Sequence, residues 1–93
     1  IMHYILFYKT CDDYLEKRQA YREEHLALAS KARDSGLLLM AGALSDPADG
    51  AILIFKGESP KAAEDFATND PYVIHGLIAE WSVRSWTVVI GGT

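Results

Sequence analysis

Short apolar runs alternate along the chain with longer segments whose apolar residues recur every three to four positions. His3 to Tyr8 is aromatic and aliphatic and predicts a strand. Tyr14 to Ser35 carries the helical period, with Asp13 as N-cap, Glu16 in capping-box position and Gly36 at the C-terminal end. Such a helix is roughly 30 Å long, enough to cross a small sheet. Leu37 to Leu44 predicts a second strand and Ala51 to Lys56 a third, joined as a hairpin by the turn residues Ser45 to Gly50. Ser59-Pro60 opens a second helix using Ala62, Ala63, Phe66 and Ala67. Asn69-Asp70-Pro71 interrupts that helix before another turn toward Leu77. Trp81 to Ile90 predicts the last strand, and Gly91-Gly92 a frayed end. The order β-α-β-β-α-β predicts an α+β, ferredoxin-like domain, with both helices on one face of a four-stranded antiparallel sheet.

A sheet with one wet face should alternate apolar and polar residues, and these strands do not. Ile5 and Phe7 oppose Tyr4, Leu6 and Tyr8; Leu53 and Phe55 oppose Ile52 and Ile54; Trp81, Val83 and Val89 oppose Trp86, Val88 and Ile90. Two helices cover only one face, and soluble monomers rarely leave a large apolar patch in water. The pattern therefore predicts a homodimer packed through its sheet faces, a dimeric α+β barrel.

Ninety-three residues make one domain, expected to span 2–93, with Ile1 ahead of Met2 read as an expression remnant. Thirteen acidic residues against nine basic ones give a net charge of −4, with no basic stripe to mark a nucleic-acid partner. The longest apolar run, Leu37 to Leu44, is too short to span a bilayer. The lone Cys11 excludes an internal disulfide framework and fits a reducing, cytoplasmic setting. Three scattered histidines and one cysteine make no metal signature, and no glycine-rich phosphate loop occurs, so no tightly bound cofactor or metal is expected.

On a helical wheel Tyr14, Tyr21, Leu28 and Ala32 mark the inward stripe of the first helix, and Glu16, Glu23, Glu24, Lys31 and Asp34 face water. His25 falls at the centre of the inward stripe, with Arg18 and Arg22 seven and three residues before it. Each has a bland account: a core histidine bonded to a carbonyl, and arginines snorkelling to solvent. Together they place three cationic groups where the pattern asks for leucine, which predicts a polar cavity or a bound anion. Asp70 before Pro71 is a good helix N-cap; it is equally a candidate carboxylate to orient His25, although the spacing cannot join the two. His75 is a candidate for surface or pocket rim, and His3 and Cys11 read as incidental.

Leu15-Glu16-Lys17-Arg18, Arg22-Glu23-Glu24-His25-Leu26, Leu38 with Ala41-Gly42, and Asp70-Pro71-Tyr72-Val73 through Gly76-Leu77 together resemble the YCII-related family over nearly the whole chain. The resemblance implies a dimeric ferredoxin-like barrel akin to muconolactone isomerases and small cofactor-free oxygenases. It also implies a cavity holding a His–Asp pair, here His25 and Asp70. Beside that pair, Arg18 and Arg22 are expected to hold a carboxylate or developing oxyanion, with Tyr72 a further substrate contact. A few such relatives dehydrochlorinate hydroxylated aromatics. Ala43 stands where many members have proline, and the Ser45–Gly50 loop is short, so the substrate does not transfer with the resemblance. Three readings stay open: an acid–base isomerase or lyase on a small anionic or phenolic molecule, a non-enzymatic ligand-binding dimer, and, on fold analogy alone, a cofactor-independent oxygenase.

Overall fold

The computed structural model describes residues 2–91. The readings of Ile1 and Gly92 lie outside that range. Strand β1 (Met2–Thr10) is followed by α1 (Tyr14–Lys17), a 3-10 turn (Arg18–Ala20) and α2 (Arg22–Asp34). The hairpin β2 (Leu38–Ala43) and β3 (Gly50–Gly57), then α3 (Lys61–Asn69), α4 (Pro71–Ile74) and β4 (Ile78–Trp86) complete the order. The strands form one antiparallel sheet ordered β2-β3-β1-β4, the α+β arrangement expected from the sequence.

Strand register divides the side chains between two faces. Leu6 stands opposite Leu53 on one side and Val83 on the other, so Tyr4, Leu6, Tyr8, Leu53 and Phe55 share the helix-covered face and are buried. Tyr14, Ala63, Phe66, Ala67 and Tyr72 close over them from the helices. On the other face Ile5, Phe7, Ile52 and Ile54 are half-buried, and Met40 and Trp86 are exposed. His3 is not simply exposed: it is half-buried there, with Nε2 shielded from solvent and unpartnered.

The expected single helix from Tyr14 to Ser35 is broken. Tyr21 leaves the helical region (φ −121°, ψ 0°), and its ring stacks flat on His75 at 4.1 Å, a contact that competes with continuing the helix. The Asp13 side chain makes no capping bond; its backbone (φ −97°, ψ 23°) lies outside the extended region from which an N-cap side chain reaches back to the helix. The far end behaves as expected. Gly36 (φ +84°) turns the chain, and Gly36 and Leu37 donate to the carbonyls of Arg33 and Ala32, closing the helix. The last strand runs Ile78–Trp86 rather than Trp81–Ile90, because β4 follows β1 and β1 runs out: His3 pairs with Trp86 and Thr10 with Ile78. Val89 and Ile90 lie beyond the ladder, 85 % and 90 % exposed.

Leu6 is fully buried between β3 and β4. Leu6→Ala is expected to destabilise the domain by about 2–5 kcal/mol, read as a lower urea midpoint at unchanged slope.

Candidate active site

Asp70 sits where α3 ends and α4 begins, with an extended backbone that lets Pro71 take the first helical position. Its Oδ1 accepts the Tyr72 backbone N–H at 3.0 Å, the cap anticipated from sequence. The same Oδ1 lies 2.8 Å from Nδ1 of His25, and Oδ2 accepts the Tyr8 hydroxyl at 2.7 Å. The carboxyl group is wholly buried. Donors from α2, β1 and α4 thus converge on one side chain, as a buried carboxylate requires. The capping and orienting roles weighed as alternatives for Asp70 coexist in this geometry.

The His25 ring is fixed from several sides. It stacks on Tyr72 with centroids 3.9 Å apart and planes 8° apart, and meets Phe66 edge-on at 6.2 Å. A carboxylate can only accept, so Nδ1 carries the hydrogen toward Asp70 and neutral His25 keeps its lone pair on Nε2. Nε2 has no protein partner among the described residues.

His25 lines a cavity of about 200 Å³. Tyr8, Tyr14 and Tyr72 form its aromatic side, and Arg18 and Arg22 flank it on the helix side. Leu26 and Leu53 with the small residues Ala29, Ala41, Gly42, Ala43 and Ala51 complete the wall. Arg18 lies 5.5 Å from the Tyr14 ring centroid, a cation–π distance. Among the described residues neither arginine is paired with a carboxylate; the carboxylate contacts found are the His25–Asp70 hydrogen bond and the exposed Lys61–Asp65 ion pair.

The structure brings His25, Arg18, Arg22 and Tyr72 to one hollow, with Asp70 buried behind His25. His75, weighed between surface and pocket rim, is exposed, stacks on Tyr21 and is not among the residues lining the hollow. Cys11 is half-buried and its backbone N–H bonds the Leu77 carbonyl, with no second cysteine available to it. Sequence reasoning missed Tyr8, whose one signal was a hydroxyl on the inward face of the first strand. Among the described residues no group of three His, Cys, Asp or Glu stands where it could hold a metal. Burial, the Asp70 charge and the Tyr8–Asp70 hydrogen bond hold the Tyr8 phenol far above its ordinary range. Burial and Tyr14 also raise the Tyr72 phenol, with Arg22 and Arg18 pulling partly back.

Tyr8→Phe leaves Oδ2 of Asp70 buried without its donor and is expected to destabilise by about 1–3 kcal/mol in urea titration. Raised tyrosines also set a sign for alkaline stability. Below about pH 10 their contribution is intact; above it the unfolded chain releases protons that the native chain retains, so stability falls as pH climbs. Absorbance at 295 nm is expected to show fewer than the five tyrosines of the chain ionising near pH 11 in the folded state, and all five in urea.

Comparison with known proteins shows the family and the fold. An uncharacterised protein of Haemophilus influenzae is 36% identical over 95% of this chain and 99% of its own length. Protein YciI of Escherichia coli O6:H1 is 35% identical over the same shares. A 5-chloro-2-hydroxyhydroquinone dehydrochlorinase from Burkholderia phenoliruptrix AC1100, solved with 2,5-dihydroxybenzoquinone, superposes with a TM-score of 0.77 at 23% identity. That match covers 92% of this chain and 94% of the other, a likeness of fold. Residues 2–87 match the YCII-related domain, and with relatives at this identity over nearly full length the chain belongs to the YCII-related family.

Proposed function

We propose that this protein is an acid–base enzyme that moves a proton on a small phenolic or anionic molecule held in the cavity. The observation that carries the reading is the 2.8 Å contact between His25 and a buried Asp70, which leaves Nε2 as the free nitrogen of a cavity-lining ring. Nε2 takes the proton from a substrate O–H, or from a C–H beside a carbonyl, and Asp70 stabilises the imidazolium that forms. The electron pair left behind gathers on oxygen, where Arg18 and Arg22 lie on the same side of the hollow. In an isomerisation the imidazolium returns the proton to another carbon. In an elimination a group such as chloride leaves with the electron pair of its bond, and the proton on His25 passes to water.

The size of the hollow supports a single substituted ring, since a cavity of about 150 Å³ accepts benzene. The fold neighbour, a dehydrochlorinase of a chlorinated hydroxyhydroquinone, favours elimination of HCl among the possible reactions. The lone cysteine accords with work in a reducing cytoplasm.

Hydroxylated and chlorinated single-ring compounds, 5-chloro-2-hydroxyhydroquinone among them, provide the test. Chloride release is followed directly, and proton exchange by NMR in deuterium oxide. Wild-type protein is expected to turn over at least one compound, and His25→Ala to slow it by at least a hundredfold while keeping a folded-state circular dichroism spectrum. Ligand binding with no turnover at any pH would instead make the site a binding module.

The open sheet face leads us to propose a homodimer. Ile5, Phe7, Ile52 and Ile54 lie together there with exposed Met40 and Trp86, and a two-fold pairing through this face covers the same patch on both copies. Size-exclusion chromatography with light scattering at micromolar concentration is expected to give twice the chain mass of 10.3 kDa; a single-chain mass would overturn it.

A further inference from the structure

Among the described residues, the shielded side-chain polar atoms without a hydrogen-bond partner are Nε2 of His3, on the open sheet face, and the Tyr72 hydroxyl. Tyr72 is 2 % exposed and lines the cavity. Its ring is explained by packing: it stacks on His25 and meets Tyr14 edge-on at 5.8 Å. Phenylalanine would make those contacts equally well. The hydroxyl is not explained: Arg22 is close enough to donate to the phenol oxygen, but the O–H itself has no acceptor, and native structures seldom keep a buried donor unpaired.

Charge narrows what would satisfy it. Arg18 and Arg22 lie near enough to bear on the Tyr72 phenol, and neither has a carboxylate partner in the described chain. No acidic side chain is among the residues lining the cavity. Two guanidiniums on the helix side and no carboxylate in the lining favour a molecule that carries a negative group.

We infer that the Tyr72 hydroxyl, Arg18 and Arg22 form an anion subsite, and that the substrate is a hydroxylated ring bearing one carboxylate, which docks there while its hydroxyl faces Nε2 of His25. The inference rests on the acid–base reading of the same cavity and names the class of molecule it acts on. Burial keeps the phenol protonated well into alkaline solution, so it remains a donor to the anion. The phenol adds what the arginines lack, a donor held rigid by stacking and edge contacts, whereas Arg22 is exposed.

Calorimetric titration of phenol and of the three hydroxybenzoate isomers into wild-type and Tyr72→Phe protein tests this. The best hydroxybenzoate is expected to bind wild-type protein at least tenfold more tightly than phenol does. Tyr72→Phe is expected to lose most of that advantage with phenol affinity unchanged. Should Tyr72→Phe fold poorly, Arg22→Gln, altered at an exposed position, is expected to show the same selective loss. Equal affinity for phenol and the hydroxybenzoates, or a full advantage retained in Tyr72→Phe, would overturn the subsite. A carboxylate advantage that depends on Tyr72, with no turnover of any compound, upholds the subsite and removes the acid–base reading. Turnover of a neutral ring with no carboxylate advantage does the reverse.

Discussion

A carboxylate with no exposure to water constrains everything around it. Stripping such a group of solvent is affordable only when donors replace the water, and Asp70 gathers them from three separate elements. Tyr8 ties it to β1, His25 to α2, and the Tyr72 backbone N–H to α4. The contacts that hold α2 and α4 against the sheet are therefore the contacts that orient the imidazole. Fold and site share one polar centre, so moving any of these three elements would both expose the charge and mis-aim Nε2.

The hollow beside that centre follows from two further features. Where the inward stripe of the first helical segment would ordinarily carry large aliphatic residues, it carries Arg18, Arg22 and His25, with the helix interrupted between the arginines. Opposite them, Ala41 and Ala43 on β2 and Ala51 on β3 stop at a methyl group. Space is left because neither side fills it. The aromatic rings then give the space a stiff wall: Tyr14 meets Tyr72 edge-on, and Tyr72 lies flat on His25. Stacked rings have few rotamers to lose, which suits a site that must hold its geometry before a ligand arrives.

Much of this could be read from the chain. The element order was plain because periodicity and turn chemistry agree locally, as at Gly36, which ends a helix in the sequence pattern and in space alike. His25 stood out as a titratable group on an apolar stripe. Asp70 was visible both as a cap and as a candidate to orient His25, but the pattern could not join the two, because their meeting links residues 45 positions apart on different elements. Tyr8 was hidden among aliphatic neighbours in a strand where tyrosine is ordinary, and nothing in a strand pattern says which hydroxyl will find a carboxylate 62 residues away. The last strand was misplaced at both ends because its limits are set by how far β1 extends, a property of the partner rather than of the strand. The break at Tyr21 was likewise unreadable, since it comes with a ring stack on His75, a residue of another element.

The line Tyr8–Asp70–His25 invites comparison with a proton relay, and the chemistry of its far end argues against one. Burial and the adjacent carboxylate both oppose ionisation of the Tyr8 phenol, so it keeps its own proton. A hydroxyl that already donates to Oδ2 has no means of passing on a second proton without becoming a cation, and it offers no outlet for one arriving through Asp70. Protons gained or lost by His25 must then enter and leave at Nε2, from the cavity side. Tyr8 and Asp70 act as a brace that fixes the tautomer, and the exchange belongs to whatever occupies the hollow. That asymmetry is what makes a buried His–Asp hydrogen bond a directed device here.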